Sequence, residues 1–213
     1  MTPSPALPVH RGTALLQAVD VSVALVLLMI LSPLMLLLAF AIWAGDGASP
    51  LYGHRRYGKG GRTFLCLKFR SMAADSDARL ARLLATDPAA RAEWQLDHKL
   101  RRDPRVTGLG RFMRKTSLDE LPQLLNILRG EMSLVGPRPI VAAEVQRYGR
   151  RFVDYCSVRP GITGIWQISG RNDTGYRRRV AMDSLMARRM SPVLYARVLI
   201  GTARTVVTGN GAY

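Results

Sequence analysis

From Val21 to Gly45 the chain carries no charged side chain, and the run Ala24–Trp43 is dominated by Leu, Ala, Val and Met. A helix needs roughly 20 apolar residues to cross a bilayer core, so this segment is long enough to enter one. A cleaved signal peptide fits poorly, because the apolar region is too long and no small-residue cleavage pattern closes it. At its centre stands Ser32-Pro33. Proline inside a helix removes one backbone hydrogen bond and crowds the preceding turn, so a kink or break is expected there. Two readings stay open: a kinked spanning helix, and a re-entrant hairpin over residues 19–45 that dips into one leaflet and returns. Flanking charge favours the hairpin. His10 and Arg11 precede the segment and Arg55, Arg56, Lys59 and Arg62 follow it, whereas a spanning helix normally has its basic flank on one side only. The Ser32 hydroxyl is placed to satisfy a carbonyl freed at the break.

The remaining sequence, 46–213, reads as one soluble domain behind an N-terminal arm (1–18) and the membrane element. At 48% hydrophobic and 22% charged residues, the 213-residue chain is not of disordered composition. Its two cysteines, Cys66 and Cys156, cannot form a disulfide framework and read as buried thiols. Lys and Arg number 31 against 15 Asp and Glu, a formal charge of +16, which calls for an anionic partner: nucleic acid, an anionic membrane surface or a phosphorylated substrate. No helix-turn-helix, zinc-finger or aromatic-interleaved stacking pattern supports nucleic acid. A basic nucleic-acid-binding or adaptor protein without catalysis is the alternative reading.

The local pattern is mainly α with a small β element, an α+β fold. Thr63–Arg70 reads as extended, with Lys68 and Arg70 on one face. Asp75–Leu100 is helical, interrupted at Asp87-Pro88, and short helices follow near Arg111–Lys115 and Leu121–Leu128. Gly161–Gly170 reads as strand and turn, and Tyr176–Met190 and Pro192–Val207 as helices. Arg197 and Arg204 share one face of the last, which suits either an interfacial helix or an ordinary amphipathic core helix.

Many arginines sit beside Gly, Pro or carboxylates: Arg70, Arg105, Arg114, Arg138, Arg159 and Arg171. Backbone fixed by Pro and Gly holds such a side chain in place, and the guanidinium fork matches phosphate oxygens. The scarce acids are equally informative. Asp119-Glu120 follows Arg111, Arg114 and Lys115. Ser117-x-x-Glu120 matches a capping box and Asp119 is a competing cap. A carboxylate among cations stays ionised and can act as nucleophile or magnesium ligand. Zinc-type Cys/His spacing is absent, and His10, His54 and His98 are scattered.

These residues fall into motifs that resemble the bacterial sugar transferase family, the monotopic phosphoglycosyl transferases that prime polysaccharide synthesis on a lipid carrier. The matching stretches are Lys68-Phe69-Arg70-Ser71-Met72, Asp103-Pro104-Arg105-Val106-Thr107 and Arg114 to Gln123. They continue with Met132 to Pro139, Arg159 to Gln167, and Ser169-Gly170-Arg171-Asn172. With Ser32-Pro33, the resemblance spans roughly residues 15–213.

The resemblance implies a covalent, two-step phosphoglycosyl transfer. Asp119 attacks the β-phosphorus of a UDP-sugar and expels UMP, and undecaprenyl phosphate then takes the phosphosugar. Glu120 is expected to hold Mg²⁺ against the diphosphate. Arg114 and Arg138 match phosphate-contacting positions, Arg171 a nucleotide-sugar position, and Lys68 and Arg70 weaker ones. Ser32 and Pro33 match the residues that reverse the membrane helix. Location at the inner leaflet of a bacterial cytoplasmic membrane, with the catalytic domain on the cytoplasmic side, is also implied; self-association stays open. Long multi-span N-terminal regions of other members have no counterpart here, so the chain resembles the compact kind. His54, Ala48-Ser49-Pro50 and Ser184–Pro192 depart from the family pattern. Asn172-Asp173-Thr174 and Gly211-Ala212-Tyr213 look most like exopolysaccharide-priming members, which favours galactose or glucose as the sugar.

Overall fold

The structure, a computed structural model, describes residues 13–97, 100, 103–169 and 175–208. Arg171 and its neighbours Gly170 and Asn172 to Thr174, together with His10, Arg11, His98 and Gly211 to Tyr213, lie outside them. The described chain is mainly helical with two small two-stranded sheets, the α+β balance expected.

Helix α1 runs from Thr13 to Asp46, longer at both ends than the 19–45 expected, with Pro33 inside it. Two helices joined by a turn are not seen: helical structure continues through Ser32-Pro33. The reason is visible in the hydrogen bonds. Pro33 has no N–H, so the carbonyl four residues back, that of Met29, loses its helical donor. Ser32 Oγ donates to Met29 O instead, at 3.0 Å, and the turn survives. At 1.5 Å per residue such a helix is about 50 Å long, against about 30 Å for a hydrocarbon core. It is long and apolar enough to cross a membrane, and Leu25, Val26, Met29, Ile30, Leu36, Leu37 and Phe40 are exposed. Such a row of large apolar side chains is stable in lipid rather than in water.

The chain divides into two compact units. The division falls at Ser32/Pro33, Tyr52/Gly53, Leu67/Lys68 and Leu121/Pro122. Strands β1 (Leu51–Tyr57) and β2 (Thr63–Phe69) form a hairpin that contributes to both.

The first unit holds the chain to Ser32, Gly53–Leu67 and the chain from Pro122 on. Its elements after the hairpin are α5 (Gln123–Leu128), β3 (Ser133–Val135), α6 (Ala142–Tyr148) and α7 (Phe152–Cys156). They are followed by β4 (Gly161–Thr163), α8 (Ile165–Ile168), α9 (Tyr176–Arg188) and α10 (Pro192–Thr208). Strands β3 and β4 pair in parallel, Ser133 with Gly161 and Val135 with Thr163. This pairing explains the glycine of Gly136-Pro137-Arg138-Pro139, since a Cβ on Gly136 would stand 2.5 Å from Arg159 O. The core joins Ala24 of α1 to Leu124, Val135, Met186, Tyr195 and Val198. Asp20 of α1 is buried in it but satisfied, accepting from Leu134 N at 2.8 Å and from the Tyr195 hydroxyl. Both cysteines are free and buried, as expected. Helix α10 turns Tyr195 and Val198 into this core and leaves Val193 and Ile200 exposed, so its inner face is that of a core helix. Where strand and turn were expected over Gly161–Gly170, the strand ends at Thr163 and the short helix α8 follows.

The second unit holds Pro33–Tyr52 and Lys68–Leu121, with α2 (Ser76–Thr86), α3 (Pro88–Asp97) and α4 (Gly108–Thr116). The helical stretch is broken where expected. Pro88 opens α3 as the residue whose missing N–H costs least, and Asp87 Oδ1 accepts from the amides of Ala89 and Ala90. The core here packs Leu38 and Ile42 of α1 with Phe69 and Met113. Helix α4 starts on Thr107, whose hydroxyl accepts from Gly110 N at 2.9 Å. It lies so close to the strand end that a Cβ on Gly110 would sit 1.9 Å from Ser71 O.

Candidate active site

Asp119 and Glu120 lie in a single 3-10 turn, Leu118–Glu120, that follows α4 directly. Neither cap reading holds. Ser117 ends α4 in the left-handed region at φ 58°, with its amide bonded back to the Arg114 carbonyl, and Glu120 does not reach back to it. Ser117 is the one non-glycine residue with positive φ among those described. That conformation, costly for a residue with a Cβ, lets the chain fold back so that two consecutive carboxylates face the end of β2.

Lys68, at the end of β2, meets both. Its Nζ lies 2.6 Å from Glu120 Oε1 and 4.0 Å from Asp119 Oδ2. The two acids differ in exposure: the Asp119 side chain is 11% exposed, whereas that of Glu120 is 33% exposed. Burial is the largest influence on Asp119 and drives its pKa above the ordinary carboxylate value. The Lys68 ammonium and the Arg114 guanidinium pull it down, while neighbouring Glu120 pushes it up. Arg114 is oriented by Ser71, whose Oγ accepts from its Nε at 2.9 Å. Its two Nη groups make no further hydrogen bond among the described residues. A cluster of this kind offers a poorly solvated carboxylate for attack, a second carboxylate beside it, and two cations for developing anionic charge.

Arg70 corrects the expectation. It stands one residue beyond the end of β2, and every N–H of its guanidinium is used. Nε donates to Ser49 O at 2.7 Å, Nη1 to Asp46 and Met72 O, and Nη2 to Asp46 and Ala48 O. With all five donors taken, it is a clamp that fixes the end of α1 and the following loop against the strand bearing Lys68. It has no donor left for phosphate. Asp46 was legible only as the charge that ends the apolar run, and its partner two positions after Lys68 was the missed signal. Arg105 is likewise committed: it forks onto Asp103 and stacks 4.9 Å over Trp94, so the Asp103-Pro104-Arg105 turn closes on itself.

Arg138 belongs to the other unit. It is exposed, and its guanidinium lies 5.9 Å from the centre of the Trp166 ring, which Arg179 approaches at 4.8 Å. The loop that carries it is held by Arg56, whose Nη1 donates to Pro139 O at 3.2 Å. Beside it, Asp183 is 1% exposed and accepts from the Tyr148 hydroxyl at 2.7 Å. Burial pushes Asp183 up to about 7, against the downward pull of Tyr148 and Arg138. Trp166 was legible only as part of the Arg159–Gln167 stretch, and Asp183 not at all; a lone acid between Met182 and Ser184 gives no pattern to find. Ser32 and Pro33 lie in α1 as described.

Magnesium fits the dyad by donor chemistry. Mg²⁺ is commonly held by one or two carboxylates together with substrate phosphates, and Glu120 keeps one oxygen, Oε2, without a partner among the described residues. No cluster of three or more acidic, His or Cys ligands exists among those residues, so an all-protein metal cage is not what this site offers.

The profile of the bacterial sugar transferase family matches residues 12–209. An undecaprenyl-phosphate galactose phosphotransferase of Salmonella typhimurium is 50% identical over 194 residues, which cover 91% of this chain and 40% of that protein. The exopolysaccharide production protein ExoY of Rhizobium meliloti is 47% identical over 194 residues, 91% of this chain and 86% of its own. A UDP-glucose:undecaprenyl-phosphate glucose-1-phosphate transferase of Caulobacter vibrioides is 36% identical over 205 residues, 92% of this chain and 71% of that protein. The chain spans about two fifths of the length of the longer relatives and most of ExoY. With the family profile matched across residues 12–209, the chain belongs to the bacterial sugar transferase family.

Proposed function

We propose that the protein transfers a hexose-1-phosphate from a UDP-sugar to undecaprenyl phosphate, priming exopolysaccharide synthesis. The observation that carries this reading is the buried Asp119 beside Glu120 and Lys68, in a family whose relatives are named for that transfer. In the first step an Asp119 carboxylate oxygen bonds to the β-phosphorus of the donor. The bond from that phosphorus to the oxygen shared with the α-phosphate breaks, and UMP leaves with the electron pair. In the second step a phosphate oxygen of the lipid attacks the same phosphorus, and Asp119 departs as a carboxylate. Lys68 and Arg114 supply positive charge where the equatorial phosphoryl oxygens gain negative charge. Lys68 also keeps Asp119 ionised against its burial. Glu120 would hold Mg²⁺, which supplies charge neutralisation on the diphosphate. By the family resemblance alone, Arg138 is assigned to phosphate and Arg171 to the nucleotide-sugar.

The sugar is read as galactose before glucose, since the galactose-named relative is 50% identical and the glucose-named one 36%. The protein works at the inner leaflet of a bacterial cytoplasmic membrane. There the flanking charge and the family resemblance favour entry and return on one side, through a bend at Ser32-Pro33 within the continuous helix rather than a turn between two helices. Buried residues on both halves of α1, Ala24 before the proline and Leu38 and Ile42 after it, suit a helix flanked by protein at both ends. The test is release of UMP, not UDP, from UDP-galactose, UDP-glucose and their N-acetylated counterparts, with Mg²⁺ and undecaprenyl phosphate present. UDP as the product would sink the phosphosugar mechanism. For topology, single cysteines at positions 10 and 55 should label from the same side; labelling from opposite sides would overturn the return of α1.

A further inference from the structure

The first unit contains a second cationic cleft, lined by residues to which no step of the transfer is assigned. The turn between β1 and β2 and the loop after α5 face each other across a cleft of 570 Å³ whose charged lining is Lys59, Arg62, Arg129, Arg159 and Glu131. Four cations meet one carboxylate, and that carboxylate is engaged: Glu131 Oε2 accepts from Asn126 Nδ2 at 2.6 Å. Among the described residues none of the four cations forms an ion pair. Lys59, Arg62 and Arg129 are exposed, while Arg159 is built into the wall, donating to Gly130 O at 2.8 Å and to Gln17 Oε1 of α1 at 3.1 Å. So many like charges in one concavity repel each other unless an anion joins them.

The cleft does not end at its cations. Lys59 and Arg159 also line an adjoining hollow whose other walls include Leu16 and Gln17 of α1 and Met190. Leu16, Val158 and Met190 give that hollow an apolar side at the start of the helix that carries the exposed apolar row, and Gln17, the buried Asp20 and Ser157 give it a polar one. We infer that this cleft binds the phosphodiester headgroup of an anionic bilayer phospholipid, with the phosphate among Lys59, Arg62 and Arg129 and the glycerol end towards Leu16. Arg159 couples the occupied cleft to α1 through Gln17. Because a spanning and a returning α1 both begin at the membrane face, this inference rests on α1 lying in lipid and not on the transfer reaction.

The test uses the full chain in neutral detergent, titrated separately with dioctanoyl phosphatidylglycerol, dioctanoyl phosphatidylcholine and sodium phosphate, with Tm as the readout. Phosphatidylglycerol should raise Tm saturably, and the other two should not. Each cation contributes about fivefold to affinity for an anionic headgroup. K59Q/R62Q/R129Q should therefore weaken the apparent Kd roughly a hundredfold, and R129Q alone about fivefold. UMP release in neutral detergent should be unchanged by both variants, which separates this site from the transfer site. R129Q keeps the experiment decisive if the triple variant fails to fold. Equal affinity of wild type and variants for phosphatidylglycerol would overturn the inference. So would a full shift with phosphate alone, which would mark a free-anion site, or displacement of phosphatidylglycerol by undecaprenyl phosphate, which would mark an acceptor site.

Discussion

At Lys68 a single ammonium serves two carboxylates of unequal exposure. It hydrogen-bonds the more open Glu120 and stands 4.0 Å from the more buried Asp119, so its charge opposes the burial that raises the Asp119 pKa. In the proposed transfer the attacking form is the ionised one, so activity should fall as pH drops through this raised pKa. Replacing Lys68 by Met removes a downward influence, which moves that acid limb to higher pH, and it also removes a cation from the transition state. A pH–rate profile should show both, with kcat/KM reduced about a hundredfold or more even at the plateau. Asp183 obeys a different sign rule. Its folded pKa of about 7 lies above the ordinary value of 3.8, so the folded protein binds the proton more tightly than the unfolded chain. Its neutral form is fully accommodated below the unfolded value, and stability is lost as pH rises from there towards 7. Asp183→Asn should flatten that decline, by an amount on the order of a few kcal/mol, in unfolding measured across this pH range.

Among the elements, one close approach and one clamp position Arg114 and Lys68. Helix α4 reaches Ser71 only because Gly110 has no side chain, and Arg114, one turn further along α4, is then within reach of Ser71 Oγ. Gly110→Ala should cost about 3 kcal/mol or more, since the obstacle is backbone, and thermal unfolding reads it directly. The Arg70–Asp46 clamp ends α1 beside the strand of Lys68. Arg70→Ala should lower kcat with little change in the donor KM, because Arg70 has no donor left for substrate. Arg70→Lys should not rescue it, an ammonium being unable to bridge both Asp46 oxygens and three carbonyls. A rise in donor KM alone would return Arg70 to the phosphate ligands.

Over the whole molecule, legibility followed sequence distance. The apolar run, the break at Asp87-Pro88, the α+β balance and the adjacent dyad are local patterns and stood in the sequence. The Met29 carbonyl bonded by Ser32 was also legible, because proline chemistry fixes which carbonyl loses its donor. The commitment of Arg70 to Asp46 and of Asp183 to Tyr148 was not, since each joins residues far apart in the chain. Nor was the αL turn at Ser117, where Ser-x-x-Glu reads as a helix start and tertiary contact with Lys68 overrides it. Part of the +16 charge is thus clamped to the fold, part stands beside the dyad, and part lines the cleft next to α1.

Covalent attack by Asp119 is the claim on which the account turns, and omitting the lipid acceptor isolates it. Incubated with UDP-galactose and Mg²⁺ alone, the protein should release about one equivalent of UMP per site. Mass spectrometry should then find a hexose-phosphate on the peptide containing Asp119, lost again when undecaprenyl phosphate is added and absent in Asp119→Asn. Turnover with acceptor but no such adduct, or an adduct on another residue, would contradict it.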